Sequence, residues 1–376
     1  MYCHHFAAGR CRSCTHLDTP YTEQLAWKEA HCRETLADWP EAEWLAPVAS
    51  LEAGFRNKAK MVVTGSADAP RLGILGADGL GVDLQDCPLY PEALTTAFGP
   101  LVRFIGLARI EPYDVASRKG ELKYLLLTLS AETGELMVRF VLRSQEAVGR
   151  MRKQLPALYE ALPQLRVLSV NLQPEHKAVL EGVHEIVLSE QEALTMHLNG
   201  LPLHLRPQSF FQTNDGVAEA LYRQARDWCD EFQPDAVWDL FCGVGGFALH
   251  CAAPGRRLTG IEISAEAIQS ACRSRDELAL DDIEFRALDA ADFAVAGSAV
   301  PPLVILNPPR RGIGAGLCEF LEHSAARWLI YSSCNAQSLA QDLRRMPGFR
   351  LRRVRLLDMF PHSHHYEVIT LLERDP

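Results

Sequence analysis

The sequence predicts an α/β protein with two parts: a doubly wound parallel-sheet domain in the C-terminal half and an α+β domain before it. Three observations predict this. From about Pro207 onward, strand-length apolar runs alternate regularly with helix-length segments, as parallel strands joined by crossovers require. Two of those runs, at 303–306 and 328–332, show no polar alternation and each stops at a polar loop, which suits strands buried on both faces. Between 55 and 200, by contrast, the apolar residues alternate with polar ones and hairpin turns punctuate them.

The totals fit this division. A chain of 376 residues is too long for one ordinary core, and 48% apolar with 23% charged residues is the balance of a globular protein. No apolar run approaches membrane-spanning length and residues 1–10 lack an apolar signal core, so a cytoplasmic location is expected. Eleven cysteines, mostly scattered through apolar segments, argue against a disulfide framework. The net charge of −10 argues mildly against a nucleic-acid partner, but the charge is segregated. Residues 344–355 carry six arginines and residues 276–284 are acidic; two solvated faces of opposite sign is the plainer reading of both runs.

Taken in order, the chain opens on Cys3, Cys11 and Cys14, with Cys87-Pro88 far downstream. Cys11-x-x-Cys14 lets two thiolates reach one metal, and three cysteines in a polar terminus are a poor match for unrelated core residues. A four-cysteine zinc site more often shows a second close pair; one cluster plus a distant Cys-Pro favours iron–sulfur ligation over zinc. Residues 55–65 read as a strand bearing Arg56, Lys58 and Lys60 at period two, 123–130 and 135–143 as a hairpin, and 144–162 as an amphipathic helix. Strands follow at 167–172 and 184–189, and Asn199-Gly200 marks a hairpin turn. The alternating cations suit either a phosphate-facing surface or the wet side of a half-covered sheet.

In the C-terminal half, 208–214 leads into a helix reaching about 231, and a buried strand at 237–241 runs into Cys242-Gly243-Val244-Gly245-Gly246. The next strand, 257–262, ends in an acid, and Ser264 caps the helix after it with Glu266 in the first turn. Strands at 283–287, 303–306 and 328–332 continue the sheet, and alternating strands at 349–357 and 366–372 finish it. The expected boundaries are therefore 1–206 and 207–376.

Chemistry concentrates at the expected carboxyl edge of that sheet. Gly243-x-Gly245-x-x-Ala248 after a strand, with Glu262 about 20 residues on, lets backbone approach a nucleotide and offers a carboxylate to a ribose; NAD and S-adenosylmethionine fit equally. Asn307-Pro308-Pro309 fixes a rigid loop whose carbonyls can hold a planar polar group. Arg310 follows where enzymes methylating exocyclic amines place an aromatic, and Cys334 ends the next strand, so the combination points to carbon rather than nitrogen. C5 of uracil is a weak nucleophile until a thiolate adds at C6, after which a base must remove the C5 proton. Cys334 supplies the thiol and Glu367, in His365-Tyr366-Glu367, the base, with His365 next in line.

These motifs, together with Phe210-Phe211-Gln212-Thr213-Asn214 and Asp239-Leu240-Phe241, resemble those of the RNA uracil-C5 methyltransferases. The resemblance extends over the whole chain and is similar to the branch acting on bacterial 23S ribosomal RNA. It implies a Rossmann-like class I methyltransferase domain and S-adenosyl-L-methionine contacted by Gln212, Phe241, Glu262 and Asn307, beside Gly243 and Gly245. It implies Cys334 as nucleophile, Glu367 as base, and a 4Fe–4S cluster on Cys3, Cys11, Cys14 and Cys87. The implied partner is 23S ribosomal RNA, with transfer RNA as the alternative substrate and no membrane or obligate protein partner. Two features depart from the pattern. Many relatives begin with a small basic β-barrel, whereas this chain starts at its cysteines, so RNA recognition is expected from the central domain and the cluster region. Relatives also often carry Asp where Asn307 stands. An RNA-binding scaffold with a vestigial cofactor site would leave nucleophile and base without purpose, as would an NAD dehydrogenase.

Overall fold

The computed structural model describes residues 1–76, 78–177, 179–295 and 299–374. The chain divides into two compact units, but not at residue 206: one comprises Met1–Leu17 with Glu52–Met196, the other Asp18–Leu51 with His197–Pro376. Residues 18–51 join the C-terminal unit for a simple reason. Strand Glu43–Trp44 pairs in parallel with strand Phe349–Leu357, and helix Tyr21–Thr35 is tied to the loop beyond that strand by buried polar contacts. The stretch before residue 207 joins it because strand Leu201–Leu205 lies against helix Ala265–Glu277, where the His204 amide donates to Ser274 Oγ and the His204 ring meets Glu277 at 2.7 Å.

The second unit is built on an eight-stranded sheet. Its parallel part runs Ile283–Ala287, Arg257–Glu262, Ala236–Leu240, Leu303–Leu306, Trp328–Ser333, in that spatial order. Strand order reverses between Ala236–Leu240 and Leu303–Leu306, which opens a crevice at their carboxyl ends. All four residues of Leu303–Leu306 are fully buried, as the unbroken apolar run requires. Each such side chain contributes on the order of 1.5–3 kcal/mol on burial. Strand Glu367–Arg374 runs antiparallel between Trp328–Ser333 and Phe349–Leu357. That reversal sets its first residue, Glu367, beside the carboxyl end of Trp328–Ser333. Helix starts are fixed by side chains: Asn214 accepts from the Val217 amide, Ser264 from that of Ala267, and Asn335 from that of Gln337.

The first unit is α+β. Its seven strands lie in the order Gly81–Asp83, Ala69–Leu75, Lys58–Ser66, Leu122–Leu129, Leu136–Leu142, Leu165–Leu172, His184–Val187. All neighbours are antiparallel except Leu136–Leu142 and Leu165–Leu172, which helix Val148–Ala161 connects in parallel. That helix begins at Val148, not at 144, because the Ser144 amide and hydroxyl are held by Glu121 Oε2. Ala59, Met61 and Val63 enter the core with helix Phe98–Leu107, while Lys58 and Lys60 alternate to the other face.

The arginine run at 344–355 is largely solvated, as expected, but it is not a free basic face. Arg344 pairs with Asp38, Arg345 with Asp342, Arg352 with Glu373 and Arg353 with Glu43 and Glu231, and Arg355 bonds the Gln224 side chain. Among the described residues no helix is long and apolar enough to cross a membrane.

Candidate active site

A cavity of about 600 Å³ opens at the carboxyl edge of the second unit's sheet. One end is made by the turn after strand Ala236–Leu240. Phe241, at its head, takes a left-handed conformation (φ 65°) that a bulky residue adopts only where its surroundings enforce it, as they do around binding sites. Gly243, at φ 54°, has no protein atom within 4 Å of where a Cβ would stand, so its backbone is open to the cavity. Glu262 closes this end: Oε2 accepts from the Gly243 amide at 3.2 Å and Oε1 from the Ser264 amide at 3.0 Å. These bonds fix the carboxylate and leave lone pairs facing the cavity for a diol. Beneath, buried Asp239 accepts from the Ala248 amide at 2.9 Å, and burial pushes its pKa up to about 7. Gln212 and Asn307 complete the wall, the latter tethered by its amide to the Leu240 carbonyl.

The other end carries the reactive groups. Ser333 pairs with Val368, so Cys334 and Glu367 face each other one step further along the two strands, and both line the cavity. The Ser332 hydroxyl donates to Glu367 Oε1 at 2.6 Å. Burial pushes Glu367 up to about 7, with the Ser332 hydrogen bond opposing the rise. Burial also raises the Cys334 thiol, and the Glu367 carboxylate adds to that; the Arg310 guanidinium beside the sulfur works the other way. Arg310 is held in turn by its loop. Asn335 Nδ2 donates to the Arg310 carbonyl, and Asp342 accepts from the Ile313 amide and the Tyr331 hydroxyl. The site thus offers a thiol, a cation to favour its thiolate, a carboxylate basic near neutral pH, and a diol-binding pocket in one cavity.

The cavity gathers seven of the expected residues: Gln212, Phe241, Gly243, Glu262, Asn307, Cys334 and Glu367. Gly245 stands apart from them. At φ 84° its Cβ position lies 2.8 Å from the Phe285 ring, so the turn itself requires glycine there, and it is not among the residues lining the cavity. His365, the second candidate base, is exposed and is not among the residues lining the cavity, although its ring packs edge-on against that of Phe360, which is. Sequence reasoning missed Tyr222, Asp289 and Phe360, and gave Arg310 no task at the sulfur. Asp289 had a signal: an acid just past a strand end, as Glu262 is one strand over.

The first unit brings the four N-terminal cysteines together. Burial, then the thiols of Cys87, Cys11 and Cys3, push Cys14 up to about 12; burial, with Cys3 and Cys11, pushes Cys87 up to about 11. Four crowded thiols of this kind are a cation-binding donor set. Among the described residues, the one cluster of three potential ligand atoms within 4.8 Å is His4, His5 and Asp86. That neighbouring trio joins the two cysteine-bearing segments, with His5 Nε2 at 2.6 Å from Asp86.

Comparison with known proteins agrees with this chemistry. The model of the tRNA (Uracil-5-)-methyltransferase family matches residues 184–375. The 23S rRNA (uracil(747)-C(5))-methyltransferase RlmC of Escherichia coli (strain K12) is 55% identical over 372 residues, which cover 99% of each chain. The protein of that name from Shigella boydii serotype 4 is equally similar. Among solved structures, the Pyrococcus abyssi tRNA (uracil-54, C5)-methyltransferase in complex with S-adenosyl-L-homocysteine aligns with a TM-score of 0.82 at 26% identity, covering 96% of this chain and 84% of that one.

Proposed function

The chain belongs to the tRNA (Uracil-5-)-methyltransferase family, and on that premise we propose that it transfers a methyl group from S-adenosyl-L-methionine to C5 of a uridine in 23S ribosomal RNA. The observation that carries this reading is the placement of Cys334 opposite Glu367 in the cavity that Glu262 and Gly243 close at its other end.

The geometry divides the labour as follows. The Cys334 thiolate, favoured by Arg310, adds to C6 of the uracil, and the C5–C6 double bond's electrons pass onto C5 and O4. C5 then takes the sulfonium methyl, leaving S-adenosyl-L-homocysteine. Glu367 removes the C5 proton, the C5–C6 double bond re-forms, and the thiolate leaves. A carboxyl with a pKa near 7 is matched to that task, since it is ionised yet basic at neutral pH. Gln212, Phe241, Glu262 and Asn307 hold the cofactor, with Gly243 letting the backbone approach it.

Cys3, Cys11, Cys14 and Cys87, whose thiols lie close enough to raise one another's pKa, would hold a 4Fe–4S cluster, which would cross-link residues 3–14 to residue 87. RNA recognition falls to the first unit, and the cytoplasm, where ribosomal RNA is found, is the place of action. Ribosomal rather than transfer RNA is favoured by 55% identity to an enzyme named for the former against 26% to one named for the latter.

The test is a denaturing gel with radiolabelled methyl donor and 23S ribosomal RNA or transfer RNA. Cys334→Ala should form neither adduct nor product. Glu367→Gln should form a covalent protein–RNA complex carrying the methyl group and fail to release it. Normal turnover by Glu367→Gln would remove Glu367 from the role, and methylation of transfer RNA alone would reassign the substrate.

A further inference from the structure

Glu367 follows a loop, residues 358–366, whose conformation its own sequence does not enforce. His362 is buried within it at φ 64°, a left-handed backbone that costs a non-glycine residue energy unless its surroundings hold it. Those surroundings are one face of helix Tyr21–Thr35, in the same compact unit. Gln24 grips His362 twice: Oε1 accepts from the His362 amide at 2.9 Å, and Nε2 lies 3.2 Å from the ring Nδ1. One turn on, Lys28 donates to Asp358 Oδ1 at 2.7 Å and to the Phe360 carbonyl at 3.0 Å. Lys28 and Asp358 are both fully buried. A further turn on, His31 Nδ1 lies 2.9 Å from the hydroxyl of Tyr366, the residue before Glu367. Positions 24, 28 and 31 stack on one helical face, so a single rigid element fixes the loop at its start, middle and end.

We propose that helix Tyr21–Thr35 is a positioning element for the base, with Gln24, Lys28 and His31 holding the 358–366 loop so that Glu367 faces the cavity. None of the three lines the cavity, so they act through the loop and not on the substrate. A buried Lys–Asp pair is a poor device for stability alone, since apolar residues of the same volume often do as well. Its directional bonds to Asp358 and to the Phe360 carbonyl specify one loop geometry instead.

The proposal rests on Glu367 being the base, and the test separates the two. Gln24→Ala, Lys28→Met, Lys28→Arg and Glu367→Gln are compared in single turnover on 23S ribosomal RNA, following methylated covalent complex and released product separately. Gln24→Ala and Lys28→Met should bind S-adenosyl-L-methionine and form the adduct as the unmodified enzyme does. Release should slow by roughly ten- to a hundredfold, the scale of a misplaced catalytic group. Lys28→Arg, which keeps a charged donor, should recover part of the release rate. Should Lys28→Met fail to fold, Gln24→Ala, which leaves no buried charge unpaired, carries the test. Equal slowing of adduct formation and release, or unchanged release in Gln24→Ala, would overturn the proposal. If Glu367→Gln accumulates adduct while the helix variants do not, positioning alone fails; if Glu367→Gln accumulates none, the base assignment fails first.

Discussion

Ser332 and Glu367, on neighbouring antiparallel strands and both buried, are joined by a 2.6 Å hydrogen bond from the serine hydroxyl to Oε1. It lowers the pKa of a carboxyl that burial raises, leaving it at about 7. Ser332 therefore holds the pH at which the base ionises below what burial alone would give.

Ser332→Ala should raise the Glu367 pKa further. A hydrogen bond to a charged group is worth about 1.5–3 kcal/mol, or roughly one to two pKa units. The acidic limb of the rate–pH profile should move up by about that much, so that turnover falls several-fold or more at pH 7 and recovers at pH 9. A profile that keeps its limb and loses amplitude at every pH would show that Ser332 acts in some other way.

The same shift has a consequence for stability, opposite in sign to that of a salt-bridged carboxylate. Glu367 titrates near 7 when folded and near the ordinary 4.5 when unfolded, so between those values the folded chain binds more protons. Its contribution is fully present below pH 4.5 and is lost as pH rises through 7. Glu367→Gln cannot ionise and should lose less melting temperature between pH 5 and 8 than the unmodified protein does. A pH dependence identical in the two would mean that the carboxyl titrates normally.

Two glycines of one turn should fail in different ways. Gly245→Ala puts a Cβ 2.8 Å from Phe285 at φ 84°; left-handed strain of about 1–2 kcal/mol and overpacking of about 1–3 kcal/mol should appear as a lower melting temperature. Gly243→Ala meets no protein atom within 4 Å, so the fold should lose about 1–2 kcal/mol of backbone strain energy and no more. Its methyl group enters the cavity, and calorimetry should find cofactor binding weakened well beyond that of Gly245→Ala.

What the sequence revealed followed from how each element is buried. The strands Arg257–Glu262, Ile283–Ala287 and Leu303–Leu306 match expectation to the residue, because hydrophobic runs and end punctuation mark buried parallel strands. Cys334 and Glu367 were readable as strand ends carrying reactive groups. Helix Tyr21–Thr35 was not, because its buried residues are Gln24, Lys28 and Cys32 and leave no apolar stripe. Missing it left residues 18–51 out of the C-terminal unit and hid what supports the base. Strand Glu43–Trp44 is too short to show a period at all.

The cysteine quartet gives the last prediction. Cys3, Cys11 and Cys14 lie in the N-terminal segment and Cys87 in a turn after strand Gly81–Asp83, so a group bound to all four closes the chain between residues 14 and 87. Protein purified without oxygen should be brown and hold about four irons and four sulfides per chain, as a cubane cluster does. Removal by chelation in air should lower the melting transition of the first unit, because binding energy invested in the folded site is folding energy. Cys87→Ser should do the same at the outset, and the second unit should still bind S-adenosyl-L-methionine. A colourless protein with one tightly held zinc would overturn the cluster assignment while leaving metal ligation intact.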